Sequence, residues 1–142
     1  MLNRMNRIIL AGLSGVLVLT LGACGSAQST ADACKIAQET VEKASADIPT
    51  TLASAGTGDY AAMKDAFTTL ASSIGDAETK VTNAEVKSAL GEFKTGISEF
   101  GALFDGLTDG DINALAELSG DLETASTKLS TSGENLTKLC SA

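Results

Sequence analysis

The sequence predicts an all-α protein, an up-down-up-down four-helix bundle closed by one disulfide. Two observations predict it. From about Thr30 onward, apolar residues recur at spacings of three and four in four successive blocks separated by short polar turns. In addition, two cysteines, Cys34 and Cys140, fall near the start of the first block and the end of the last. An up-down-up-down bundle brings those two positions to one end.

The first block spans about Thr30 to Ala55, with Cys34, Ala37, Val41, Ala44, Ile48, Leu52 and Ala55 along its seam. Ser29 or Thr30 can cap its start, and Asp32 suits the first turn. Pro49 is the one proline of the chain. It removes a backbone donor and disfavours helix at the residue before it, which predicts a kink or a break there. Because the seam runs on through Leu52, a kinked continuous helix is the expectation.

Gly56-Thr57-Gly58-Asp59 is a turn ending in an N-cap. The second block then runs through Tyr60, Met63, Phe67, Leu70, Ile74, Ala77 and Val81 without a slip. Thr82 and Asn83 interrupt it and offer a cap for the third block, which carries Val86, Leu90, Phe93, Ile97, Phe100, Phe104 and Leu107. Gly91, Gly96, Gly101 and Gly106 recur through this block every five residues. Five residues advance about 500° on a helix, so these glycines spiral and form no single packing stripe; they read as a loosely built helix stabilised by its neighbours. Thr108-Asp109-Gly110-Asp111 is the third turn, capped by Asp111. The fourth block reads Ile112, Leu115, Leu118, Leu122, Ala125, Leu129, Leu136 and Leu139 or Cys140, weakened at Ser132 and Gly133.

Ahead of the blocks lies a different kind of segment. Met1 to Arg7 carries Arg4 and Arg7 and no acid, and Ile8 to Leu21 is uncharged and mostly apolar. A basic flank followed by an apolar run of about 7–15 residues describes a secretory signal peptide. It is short of the roughly 20 residues a spanning helix needs. At its end, Leu21, Gly22, Ala23 and Cys24 match, position by position, the lipobox of bacterial lipoproteins, which this segment resembles. The resemblance implies cleavage before Cys24 and a diacylglyceryl thioether on its sulfur. Two acyl chains, at about 0.8 kcal/mol per buried CH₂, hold a domain on a bilayer where one does not. The predicted organisation is therefore a signal peptide over residues 1–23, a flexible tether over 24–29 and a bundle over 30–142. The domain would lie on the extracytoplasmic side of a bacterial membrane, the outer one where the host has two. Membrane lipid, held through acylated Cys24, is its first partner.

Loss of the leader takes both arginines with it, so 8 Lys face 18 acids and the net charge falls from −8 to −10. That sign argues against nucleic acid, whose phosphates require Lys and Arg. It also argues against a domain lying flat on anionic headgroups. The chain has no His and no Trp. Ser-His and Cys-His nucleophile pairs and the usual zinc ligand sets are thereby absent. Asp109, Asp111 and Asn113 alternate as a calcium loop begins, but Ala114 and Gly120 stand where that loop needs Gly and Glu. A turn and a helix cap account for the same residues.

With Cys24 taken by lipid, Cys34 and Cys140 in an exported domain read as one disulfide, two free thiols being the alternative. No cofactor, metal or catalytic residue is predicted, and the protein reads as a non-enzymatic interaction or envelope-associated module with an envelope protein partner. Such small tethered helical proteins resemble several groups, among them envelope-assembly factors and the phage-encoded lipoproteins that block superinfection. The alternative is a small-ligand carrier, with Phe67, Phe93, Phe100 and Phe104 lining a cavity between helices.

Overall fold

A computed structural model describes residues 28–46, 48–55 and 57–141. The leader and Cys24, within residues 1–27, lie outside the described residues, as do the side chains of Leu52 and Ala55. The chain forms α1 (Thr30–Ser45), α2 (Ile48–Ala55), α3 (Tyr60–Lys80), α4 (Ala84–Ala102), α5 (Ile112–Glu117) and α6 (Ser119–Cys140). Four of these, α1, α3, α4 and α6, make an antiparallel bundle; α2 continues the course of α1 along α3, and α5 leads into α6.

The helices α1, α3, α4 and the short α5 each begin on a side chain that replaces a missing intrahelical partner, whereas α6 starts from Leu118 without one. Ser29 Oγ accepts the Asp32 N–H at 3.1 Å, and Asp59 Oδ1 accepts that of Ala62 at 2.9 Å. Asn83 Oδ1 accepts from Val86 at 3.1 Å, and Asp111 Oδ1 from Ala114 at 3.0 Å. An oxygen at the N-cap relieves one of the four unbonded N–H groups of a first turn, worth about 1 kcal/mol.

One helix ends at Ser45 and a second begins at Ile48. Pro49 is the second residue of α2, where its absent N–H would have had no helical acceptor in any case. The expectation of one continuous helix is therefore corrected to two. The third block also ends early: after Ala102 the chain turns through residues 103–106, and Gly106 adopts φ 82°. A left-handed residue cannot continue a right-handed helix, so Phe104 and Leu107 hold their seam places from a turn. The fourth block bends at Leu118 into a short α5 and a long α6.

The core follows the seams. All seven seam residues of α3 and its end, from Tyr60 to Val81, are buried, and Ile74, Val81, Val86, Leu90 and Ile97 are almost wholly withdrawn from water. Packing is close where glycines lie. A Cβ at Gly96 would stand 3.3 Å from the Leu129 backbone, and one at Gly101 only 2.8 Å from the Phe67 Cβ. Gly96 thus admits α6 and Gly101 admits α3. The glycines do spiral, but these two are sites of close approach, which corrects the reading of a loosely built helix. Ser132 continues the seam between Leu129 and Leu136, its hydroxyl satisfied by the Leu129 carbonyl at 2.8 Å.

Candidate functional site

The two ends of the bundle are built differently. At one end, Cys34 and Cys140 form a disulfide with Cα atoms 5.4 Å apart, joining α1 to α6. Gln28 is clamped at that same end. Its N–H donates to Thr82 Oγ1 at 3.1 Å, and its side-chain oxygen accepts the Thr82 N–H at 3.2 Å. Asn83 Nδ2 donates to the Gln28 carbonyl at 3.2 Å. Gln28 and Ser29, expected in the tether, therefore belong to the folded bundle, and Cys24 precedes the clamp by four residues.

At the far end, the turn after α2 and the turn before α5 are tied together. Gly110 donates to the Gly58 carbonyl at 2.9 Å, with both glycines at positive φ, and Asp109 Oδ1 accepts the N–H of Tyr60 at 2.9 Å. Asp111 thus caps α5, as the turn-and-cap reading had it, while Asp109, read there as a turn residue, accepts from the start of α3. Among the described residues, no cluster of three or more Asp, Glu, Cys or His is placed to hold a metal ion.

Beside these turns lies an open groove of about 530 Å³. Tyr60 and Met63 of α3, Phe100 of α4, Phe104, Leu115 of α5 and Leu122 of α6 form its walls, with Glu123 and Ser126 as polar edge. The aromatic walls are set by one another: Tyr60 and Phe104 centroids lie 6.4 Å apart, and Phe100 and Phe104 lie 5.8 Å apart. Of the four phenylalanines expected around a cavity, Phe100 and Phe104 line this groove. Phe67 packs edge-on against Phe100 at 5.0 Å and parallel to Phe104 at 6.2 Å. Phe93 faces α6 at Gly133, within 3.3 Å of where a Cβ would be.

A larger cleft of about 800 Å³ runs between α4 and α6, past Gly91, Thr95, Thr131 and Asn135. Both of its lysines are paired, Lys94 with Glu78 and Lys128 with Glu99, and Glu92 is the one further carboxylate on its wall. Ser132, also on its wall, is satisfied within its own helix.

Charge is segregated along the bundle. Residues 95–127 carry Glu99, Asp105, Asp109, Asp111, Glu117, Asp121 and Glu123 and not one Lys or Arg. Lys64 pairs with Asp105, and its pKa is held above the ordinary 10.5, first by the hydrogen bond to that carboxylate and then by its charge. At the disulfide end, Lys35, Lys80, Lys87 and Lys138 are exposed, as are Asp32, Glu85 and Glu134. Seven of the 18 acids thus fall in one stretch without a cation, and that stretch also holds the groove residues Phe100, Phe104, Leu115 and Leu122. Reading the net charge as one number missed this, although the gap between Lys94 and Lys128 signals it in the sequence.

The fold and this end of it define a disulfide-closed helical bundle with an acidic-rimmed apolar groove. No family model matches the chain, and no curated protein or solved structure is similar to it at a significant level. Among the described residues, no helix is long and apolar enough to cross a membrane.

Proposed function

We propose that this protein is an exported, lipid-anchored, non-enzymatic interaction module of a bacterial envelope, tethered through Cys24 and presenting its groove end to a partner. The observation that carries the reading is the clamp on Gln28. Four residues after the lipobox cysteine, the chain is fixed to the disulfide end of the bundle. A lipid on Cys24 would therefore hold the domain by that end and leave the other free. Helices of about 20 residues, at about 1.5 Å per residue, would carry the groove roughly 30 Å outward. The charge distribution agrees with that posture, because the Lys-free stretch around Asp109 and Asp111 lies at the end away from anionic headgroups.

The test is fractionation after a high-salt wash. Wild-type protein should stay with membranes, and Cys24→Ala protein should be released while keeping its helical circular dichroism. Retention of the Cys24→Ala protein would show that the apolar leader itself is the anchor and would refute the lipoprotein reading.

A second reading, a carrier of a small apolar ligand, draws on the groove. Its volume of about 530 Å³ falls in the range of about 300–1,000 Å³ typical of ligand sites. Saturable uptake of a nonpolar dye, lost on narrowing the groove with Leu122→Phe, would support it.

A further inference from the structure

We infer that the groove seats a basic amphipathic helix of a partner protein, its apolar stripe on Phe100, Leu115 and Leu122 and its Lys or Arg side chains among the surrounding carboxylates. This deepens the interaction reading and rests on it, but it does not depend on the anchor.

Three observations favour that occupant. The first is shape. An opening of about 530 Å³ admits a few side chains and not a helix about 10 Å across. A helix would lie over the opening and insert residues spaced by three and four. The walls suit this because Phe100, Leu115 and Leu122 are partly exposed above a buried floor of Tyr60, Met63 and Phe104.

The second is the reach of apolar surface beyond the groove. Ile112 is 73% exposed, the one large hydrophobic so placed among the described residues. It precedes Leu115 by one turn of α5, so the two share a stripe. A small ligand filling the groove would leave Ile112 in water, whereas a helix several turns long covers it.

The third is charge. Asp109, Asp111, Glu117, Asp121 and Glu123 are exposed near the groove, and among the described residues no Lys is ion-paired with any of them. A field of one sign raises the encounter rate of the opposite sign and repels its own. Acidic peptides and nucleic acids are disfavoured on that ground. A neutral ligand would account for the groove but leave both Ile112 and the carboxylates without a role.

The experiment uses the full chain in a nonionic detergent and two labelled peptides of about five helical turns. One is a Leu/Lys sequence with its leucines on one helical face; the other is its scramble of equal composition. Fluorescence anisotropy should show saturable binding of the amphipathic peptide at least about tenfold tighter than of the scramble. Ile112→Ser and Leu115→Ser should each weaken it severalfold. The triple variant Glu117→Gln, Asp121→Asn, Glu123→Gln should weaken it and flatten its salt dependence. Ile112 and the three acids are exposed, so these variants leave the core untouched. Equal binding of both peptides, or indifference to Ile112→Ser and Leu115→Ser, would reduce the effect to charge attraction and overturn the proposal. Binding of neither peptide would overturn it as well. So would uptake of Nile red sensitive to Leu115→Ser without peptide binding, which would mark a small-ligand site. None of these results bears on the salt-wash fractionation, so failure here and failure of the anchor are read separately.

Discussion

The carboxylate of Asp109 accepts the backbone N–H of Tyr60 at 2.9 Å, across 49 residues of sequence. The same oxygen receives the N–H of Ala61 at 3.3 Å. One side chain thus finishes the start of α3 from another loop, while Asp59 serves the same turn from within. Asp109→Ala should lower unfolding stability by about 1 kcal/mol, the usual worth of a helix-start acceptor. Asp109→Asn, which keeps an oxygen there, should lose much less. Urea unfolding followed by circular dichroism measures both.

Two glycines of adjacent helices should respond to alanine with opposite signs. At Gly101 a methyl would meet the Phe67 Cβ at 2.8 Å, with no flexible chain end to yield. Gly101→Ala should therefore destabilise by about 1–3 kcal/mol. At Gly75 a methyl would meet only the Lys94 Cδ, at an ordinary 3.6 Å. There the gain in helix propensity is unopposed, and Gly75→Ala should stabilise by up to about 1 kcal/mol. Paired melting curves decide it.

The disulfide closes a loop of 106 residues, for which chain entropy alone assigns about 4–5 kcal/mol as an upper expectation. Cys34→Ala should cost about 2–5 kcal/mol. Cys140→Ala should cost the same, and the double variant no more than either, because one bond is lost in all three. Membrane association should not change. Thermal unfolding with and without reductant provides the check, since reductant should shift only the wild type.

Lys64 gives the pH dependence a definite sign. Its folded pKa is raised above 10.5 by Asp105, so the pair stabilises fully below that unfolded value and fades as pH rises through the folded one. Both groups are about half exposed, so the effect is small and screened by salt. The urea midpoint of wild type should exceed that of Lys64→Met by a constant margin from neutral pH to about 10, and the margin should shrink above 10.5 as pH passes through the folded value.

The sequence carried the bundle itself in its periodicity, most clearly in α3, where every seam position from Tyr60 to Val81 proves buried. The caps at Ser29, Asp59, Asn83 and Asp111 were legible for the same local reason, an oxygen two or three residues ahead of a free N–H. What periodicity could not report was set by geometry between helices. Ser132 looked like a weak point because it is polar, yet it lies buried on the seam facing Gly96. Ile112 continued the apolar pattern and is nevertheless exposed, because α5 packs chiefly on α6 and leaves one side open. The groove was half visible: Phe100 and Phe104 were expected around a cavity, but Tyr60, Met63, Leu115 and Leu122 join them only through the meeting of four elements.

The central claim is that Cys24 carries the lipid that holds the disulfide end to a membrane. The direct measurement is mass spectrometry of the reduced tryptic N-terminal peptide from membrane-extracted protein. The account predicts a peptide running from Cys24 to Lys35 with a diacylglyceryl group on the Cys24 sulfur. A peptide carrying unmodified Cys24, or one that begins upstream of it, would contradict the account.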